Sequence, residues 1–329
     1  MADELNEPRD RVPLKVRRKW MIADGTVGLE LQRMDAAPVM PTAPGSHIEL
    51  TLPGTDGKAL LRHYSLCNAP DELDHYVLAV KRDPCSRGGS AYLHDHLGEG
   101  DLLLASEPRN QFALAEGASR HVLIAGGIGI TPLLAMAQYL HAQGDQFELH
   151  YFARALQAAA FLDRLSRFAT SYSLHLGLTP EETEAAVAAT VARADANTHV
   201  YACGPAPLIA VVERLAGARL RPDQFHHEYF AAPRCVVDDA AGAFRVESAR
   251  TGAVFDVPAD QTIVQALEAA GHAVAIACEQ GVCGTCLTRV LAGTPDHRDA
   301  YLNAAERARG DQMLICVSRA LSPTLILDL

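Results

Sequence analysis

Hydrophobic and polar positions change their rhythm twice along this 329-residue chain. Over 1–114, apolar residues come in short runs at 47–52, 76–80 and 101–105. Turn signals at Pro44-Gly45, Pro53-Gly54, Gly88-Gly89 and Gly98-Glu99-Gly100 separate them. Many short strands punctuated in this way predict a small antiparallel β-barrel or sandwich. From about 118 to 230 the pattern alternates. An apolar run at 121–125 leads through a Gly-rich turn into a helix over 132–143. A run at 148–152 precedes an Ala-rich helical stretch over 156–168, and a run at 199–202 precedes a helix over 207–218. Strand alternating with helix predicts an α/β parallel sheet covered on both faces. Residues 231–243, rich in Ala, Gly and Asp, read as a linker. The last segment offers a hairpin of 244–248 with 254–257 and a helix over 263–270, just before a group of cysteines. Three domains are expected, over 1–114, 115–230 and 244–329.

Composition removes several classes. Hydrophobic residues make up 49% and charged residues 21%, ordinary globular usage. The net charge of −11 argues against nucleic acid, which calls for a basic footprint. The opening MADELNEPRDRVPLKVRRKW has no apolar core of a signal peptide, and no run approaches 18 uninterrupted apolar residues. A soluble, cytoplasmic protein with no membrane partner is the expectation. Eight cysteines in so long a chain do not make a disulfide scaffold, and four of them fall in its last quarter.

Those four stand as Cys278-x4-Cys283-x2-Cys286-x29-Cys316. Thiolates are preferred ligands of iron–sulfur clusters, and this is the plant-type [2Fe–2S] spacing. Three ligands share one tight loop and the fourth arrives from elsewhere, while Gly281 and Gly284 allow backbone N–H groups to turn towards the sulfides. The alternatives are buried free thiols or a structural zinc site, which usually shows two C-x2-C knuckles where this chain has one.

Gly126-Gly127-Ile128-Gly129-Ile130-Thr131-Pro132 follows a strand and opens a helix. Glycines let backbone approach a pyrophosphate, and the helix N-terminus supplies aligned N–H groups. Thr131 is expected to cap that helix, with Pro132 at its first position. Cys203-Gly204-Pro205, after the strand at 199–202, is a second such turn; plain strand-to-helix turns are the competing account of both.

Arg62-His63-Tyr64-Ser65 places an Arg and a Tyr on one strand face and a Ser on the other. An Arg holds a phosphate, a Tyr stacks on a flat ring and a Ser hydrogen-bonds a flavin near N5. Val80-Lys81-Arg82 and Ser86-Arg87-Gly88-Gly89-Ser90 add a glycine turn, a hydroxyl and cations suited to one phosphate. A solvated strand face explains Arg-x-Tyr-Ser nearly as well.

In this order the motifs resemble the phthalate dioxygenase reductase and vanillate O-demethylase reductase family over nearly the whole chain. The resemblance implies an FMN-binding barrel, an NAD-binding α/β domain and a β-grasp plant-type ferredoxin domain. It implies FMN rather than FAD, bound by Arg62, Tyr64, Ser65, Val80, Lys81, Gly89 and Ser90. NADH would bind at Gly127, Gly129, Thr131, Pro132, Cys203, Gly204 and Pro205, and the cluster at the four cysteines. Phe230, in His227-Glu228-Tyr229-Phe230, matches an aromatic lying against the flavin; a core aromatic at a domain boundary is the other reading. Ser65, Cys203 and Phe230 are thus the expected catalytic positions. Arg154, after the second strand of the α/β domain, is suited to a ribose 2′-phosphate and leaves NADPH as the less favoured nucleotide, or is a solvated loop residue.

A nicotinamide gives two electrons together and a [2Fe–2S] centre takes one, so a flavin between them reconciles the two. The expected function is the reductase component of a two-component Rieske oxygenase, reached by transient docking. A general NAD(P)H reductase serving a cytochrome or several oxygenases is the alternative. Residues 236–329 hold 7 Arg, no Lys and 12 Asp+Glu, an acidic balance suited to steering onto a basic partner or simply to solubility.

Overall fold

The computed structural model of the chain describes residues 11–54, 59–69, 71–84, 86–168, 170–230 and 242–329. The chain divides into two compact units, Met1–Phe230 and Ala231–Leu329. Of the expected linker, 231–241 lies outside the described residues.

In the first unit, β1 (Val12–Ala23), β2 (Thr26–Arg33), β3 (Ser46–Pro53), β4 (Ala59–Ser65), β5 (Tyr76–Lys81) and β6 (Leu102–Ala105) form one antiparallel sheet. Its order is β4-β3-β6-β1-β2-β5, with the two-residue β7 (Arg109–Asn110) beside β3. Just past β4, the Cys67 N–H donates to the Val77 carbonyl of β5 at 2.8 Å, drawing the two ends of the sheet together into a barrel. Leu14, Leu29, Ile48, Leu50, Leu78 and Leu103 fill it. A short helix, α1 (Gly89–Asp95), follows β5.

The rest of this unit is a parallel sheet with helices on both faces. Its strands are β8 (Arg120–Gly126), β9 (Phe147–Ala153), β10 (Tyr172–Leu176), β11 (Thr198–Gly204) and β12 (Phe225–Tyr229), in the order β10-β9-β8-β11-β12. The connecting helices are α2 (Ile130–Gln143), α3 (Leu162–Leu165), α4 (Pro180–Val191) and α5 (Ala206–Gly217). The central strand β8 alternates between two cores. Leu123 and Ala125 join Ile130 and Leu134 of α2, whereas Val122 and Ile124 join Val187 of α4 and Ile209 of α5.

The expected helix over 156–168 is not continuous. It reduces to α3 between two 3-10 turns, because Phe161 sits at φ 60°, a left-handed conformation that an α-helix cannot propagate. Within this parallel-sheet part three elements escaped the hydrophobic pattern, β10, α4 and β12, and in the barrel the pattern marked only β3, β5 and β6. The helix α4 nevertheless carries a sequence signal, Thr179-Pro180-Glu181-Glu182. Thr179 Oγ1 accepts from the Glu182 N–H at 3.2 Å and Glu182 Oε2 accepts from the Thr179 N–H at 2.8 Å, a capping box with Pro at the first helical position.

The second unit has the expected hairpin, with Phe244 of β13 (Phe244–Ser248) opposite Val257 of β14 (Val254–Val257). With β15 (Leu287–Ala292), β17 (Gln312–Leu314) and β19 (Thr324–Leu327) these strands run in the order β14-β13-β19-β15-β17, β13 and β19 being parallel. Helix α6 (Ile263–Ala269), started by a Thr262–Gln265 capping box, lays Ile263, Val264 and Leu267 on the sheet core. Two short strands, β16 (Pro295–Asp296) and β18 (Arg319–Ala320), and helix α7 (Ala304–Arg309) complete an α+β β-grasp. Arg319 is buried and donates to the carbonyls of Pro258, Gln261 and Gly242, tying hairpin and helix to the sheet. No helix among the described residues is long and apolar enough to cross a membrane.

Candidate functional site

Strand β8 ends at Gly126, and a 3-10 turn over Gly127–Gly129 leads into α2. A Cβ on Gly129 would lie 2.2 Å from the Cys203 carbonyl oxygen. One on Gly126 would lie 2.7 Å from Pro205 Cδ, and one on Gly204 2.9 Å from Gly126 Cα. The turns at 126–129 and 203–205 therefore meet backbone to backbone at the C-terminal ends of the neighbouring strands β8 and β11. That end of an open parallel sheet is where ligands bind. Thr131 does not cap the helix as expected. The 3-10 turn already supplies acceptors, Gly127 O and Ile128 O, for the Ile130 N–H, so α2 begins earlier. Thr131 is buried within it, donating Oγ1–H to Ile128 O at 3.0 Å, and Pro132 is its third residue rather than its first.

Beside these turns the structure exposes a group that no motif announced. Glu228 of β12 pairs with Cys203 across the ladder, and its Oε2 is sealed from solvent with no hydrogen-bond partner. Burial pushes its carboxyl up to about 8. The signal lay in an acid placed on a strand of a parallel sheet, a position that ordinarily takes an apolar residue. Cys203 itself is buried without exposed surface, and burial and then the Glu228 charge hold its thiol well above the usual range. What it lends to the turn is its carbonyl against Gly129. Phe230 follows β12 at the same end and is 38% exposed. Arg154 follows β9 there and is exposed.

In the barrel, β4 pairs with β3 so that Tyr64 opposes Ile48 and Arg62 opposes Leu50. Tyr64 is thereby packed on the barrel core, and burial drives its phenol well above the ordinary value. On the other face, His63 Nε2 meets the buried Glu49 carboxylate at 2.9 Å, with Arg11 on its second oxygen at 2.6 Å. Ser65 is buried, Val80 is buried and Lys81 is exposed. Gly89 opens α1 under the Arg62 side chain, and a Cβ there would lie 2.7 Å from Arg62 Cγ. The Arg62 guanidinium donates to Leu61 O at 2.8 Å and Arg87 O at 3.2 Å. Ser90 Oγ accepts from the Asp83 N–H and bonds Ser86 Oγ, bracing that turn.

In the second unit, Leu287 opposite Leu314 in the β15–β17 ladder brings Cys286 and Cys316 together from 30 positions apart. Cys278 and Cys283 reach them on a loop held by positive φ at Glu279 (52°), Gly281 (68°) and Gly284 (73°). A Cβ on Gly281 would lie 2.6 Å from Val317, and one on Gly284 2.5 Å from the Tyr301 ring. The Gln280 N–H points at Cys278 Sγ at 3.3 Å. Hydrogen bonds from Cys283 and Cys316 draw the Cys278 thiol far down, and one from Cys316 lowers Cys286.

Residues 246–321 match the model of the 2Fe-2S iron-sulfur cluster binding domain, and residues 103–221 that of the dimethylamine monooxygenase subunit DmmA-like N-terminal domain. Vanillate O-demethylase oxidoreductase of Pseudomonas sp. (strain HR199 / DSM 7063) is 44% identical over 313 residues, 94% of this chain and 97% of its own. Phenoxybenzoate dioxygenase subunit beta of Ectopseudomonas oleovorans is 44% identical over 97% of each chain. A solved phthalate dioxygenase reductase, described as a modular structure for electron transfer from pyridine nucleotides to [2Fe-2S], is similar with a TM-score of 0.72 and 36% identity, covering 97% of this chain and 98% of that one. This chain belongs to the vanillate O-demethylase and phthalate dioxygenase reductase family. It is a flavin and iron–sulfur oxidoreductase, the reductase component of an oxygenase system, with a [2Fe–2S] cluster domain.

The geometry fits this oxygenase reductase cofactor by cofactor. Gly126, Gly129 and Gly204 let the two turns pack on each other, while Gly127, at φ 54°, has open space where its Cβ would be and so leaves bare backbone for a pyrophosphate. The Arg62–Gly89 contact directs a guanidinium to the start of α1, as a phosphate requires. The four thiols form one hydrogen-bonded chain, Cys283 to Cys278 to Cys316 to Cys286, the close gathering that a cluster held by four thiolates requires.

Proposed function

We propose that this reductase takes electrons from NADH at the 126–129 and 203–205 turns, passes them through FMN held by the barrel, and delivers them singly from the cysteine loop to a Rieske-type oxygenase in a transient encounter in the cytoplasm. The observation that carries this reading is the conjunction, in one chain, of two interlocked glycine turns that leave Gly127 bare with four thiols gathered at a glycine loop. When bound, the nicotinamide would supply electrons in pairs and the cluster accept them singly, and the flavin would reconcile the two.

Gly127 and Gly129 admit the pyrophosphate to the N–H groups at the start of α2, with Thr131 and Pro132 shaping that first turn through backbone and packing. Gly204 and Pro205 hold the nicotinamide side, with Cys203 as its floor. Arg154, exposed at the end of β9, reaches the ribose. Arg62, Gly89, Ser90 and Lys81 hold the flavin phosphate. Tyr64, Val80 and Ser65 would support the flavin from the barrel side, with Ser65 offering a hydrogen bond near N5, and the exposed Phe230 would lie against it. The Glu228 carboxyl, kept protonated by burial, presents an O–H donor beside the nicotinamide turn at neutral pH. Cys278, Cys283, Cys286 and Cys316 hold the iron, and the first two are only half-buried, the edge through which electrons leave.

The test is a visible spectrum with iron, sulfide and flavin assays on one sample, followed by anaerobic titration with NADH and mixing with a Rieske oxygenase component. Stoichiometric FMN and two irons per chain, both bleached by NADH and reoxidised by the oxygenase, support the assignment. Absence of iron or flavin, or bands that NADH leaves untouched, overturns it. Faster reoxidation by a cytochrome than by any Rieske component favours the general-reductase reading.

A further inference from the structure

The flavin strand and the nucleotide helix are joined by a polar cluster that neither motif includes. The chain leaving β4 passes Cys67, two residues beyond Ser65. Its carbonyl accepts from Gln138 Nε2 at 3.0 Å and from Arg164 Nη1 at 3.4 Å. Gln138 lies on α2, seven residues after Thr131, so about 10 Å of helix separates this contact from the nucleotide turn. Arg164 comes from α3. The same Nη1 reaches Glu72 Oε2 at 2.9 Å and Gln138 Oε1 at 3.3 Å. One guanidinium nitrogen thus gathers acceptors from the barrel and from α2.

Each arm is itself rigid. Glu72 Oε2 also accepts the Ala69 N–H at 2.9 Å. Asn68, buried, donates to Glu72 O and His75 O and accepts from the Val77 N–H, which ties 68–69 to 72–77. On the other side Arg164 lies 5.9 Å over the Phe161 ring, and Phe161 is the buried residue whose φ of 60° ends one turn and starts α3. The Ala160 N–H is held by the buried Tyr151 hydroxyl at 3.0 Å. The Arg164 and Glu72 side chains are 16% and 27% exposed, sheltered enough that their attraction is not lost to solvent.

We infer that Arg164, with Glu72 and Gln138, is a positioning cluster for the first electron-transfer step, fixing the exit of the flavin strand against the nucleotide helix so that nicotinamide and flavin meet at a set distance. This rests on the proposed assignment of β4 to the flavin and of the 126–129 turn to NADH. None of the three side chains touches a cofactor in that assignment. Their effect is geometric, and an ångström-scale misplacement of reacting groups costs on the order of a hundredfold in rate.

The experiment is stopped-flow reduction of the flavin in the holoenzyme, by saturating NADH and separately by dithionite, which needs no nucleotide site. Arg164→Met should slow reduction by NADH by about 10- to 100-fold. Its KM for NADH, flavin content and dithionite rate should stay near wild type, and Arg164→Lys should recover part of the loss. Glu72→Gln, which keeps the acceptor for Ala69 and removes the charge, should show a smaller fall of the same kind. The double variant should be no slower than Arg164→Met alone, because the two groups act as one. NADH reduction at the wild-type rate, or equal slowing by NADH and dithionite, overturns the inference. If Arg164→Met does not fold, an unchanged NADH rate in Glu72→Gln overturns it. Failure of NADH to bleach the wild-type flavin would instead remove the site assignment beneath it.

Discussion

The cysteine loop and the turns at 126–129 and 203–205 both depend on glycine, yet they use it differently. In the second unit four side chains meet, and positive φ at Gly281 and Gly284 only folds the loop so that the sulfurs can do so. In the first unit no side chain carries the arrangement, and the glycines themselves make it, since a Cβ on Gly126, Gly129 or Gly204 would strike the neighbouring turn. Side-chain ligation leaves residue types at fixed spacing, whereas backbone ligation leaves only gaps. The first kind of site is therefore specific on its own, and the second acquires meaning when two turns are seen to interlock.

The largest effect separates the two regions outright. Cys283→Ser should remove the cluster's visible absorption and cut electron delivery to an oxygenase by more than about a hundredfold, while NADH-driven reduction of a dye through the flavin persists; loss of both activities would show that the regions are not independent stations. Next comes the backbone site. Gly129→Ala places a methyl 2.2 Å from the Cys203 carbonyl, so the turns must part. NADH-dependent flavin reduction should fall at least about tenfold, with a stability loss of about 1–3 kcal/mol, and the cluster spectrum should be unaffected. A Gly129→Ala protein that matches wild type would mean that the turns are not in contact.

A third test uses pH. Glu228, held up to about 8 by burial, keeps in the folded state a proton that the unfolded chain releases above its ordinary 4.5. Its contribution is complete below pH 4.5 and is lost as pH rises towards 8, at about 1.4 kcal/mol for each pH unit climbed. His226 runs the other way. Burial first, then His199, whose Nδ1 lies 2.9 Å from His226 Nε2, lower it to about 4. The unfolded chain therefore takes up a proton below 6.5 that the folded chain refuses, and stability falls between pH 6.5 and 4. In denaturant titrations, Glu228→Gln should abolish the alkaline decline and leave the acid one. A variant that keeps the wild-type slope above pH 6.5 would show that the carboxyl is ionised in the fold. The smallest effect concerns docking. With 12 Asp+Glu against 7 Arg in 236–329, delivery to a basic oxygenase face should slow several-fold as salt is raised, with NADH-to-dye reduction flat; a salt-independent delivery rate would assign that charge to solubility.

Much of the architecture was legible. The hairpin 244–257, the helix at 263, the barrel strands β3, β5 and β6 and the central strands β8, β9 and β11 follow the apolar pattern closely, because each buries a face whose period matches its geometry. The misses have equally local causes. The edge strand β10 is only half-buried, so its pattern is mixed. Helix α4 is weakly apolar and declares itself through Thr179 and Glu182 rather than through periodicity. Thr131 has the residue type of a cap, but the 3-10 turn before it had already begun the helix. The Ala-rich stretch 156–168 has helical propensity throughout, and the left-handed Phe161 overrides it.

By itself the sequence determined the residue types and spacings from which the proposed sites are read: the four cysteines as C-x4-C-x2-C-x29-C, the glycines at 126–129 and 204, and their order after Arg62-x-Tyr64-Ser65. These depend on residue type and short spacing, which the chain carries locally. Tertiary structure alone decided which groups became unusual. Glu228 holds its proton because strand β12 seals one oxygen away from water, Cys203 serves through its carbonyl because its thiol is buried, and Arg164 joins barrel to nucleotide helix because α3 is turned by Phe161 towards Glu72. Burial and long-range contact set those properties, and neither is written at any one position of the chain.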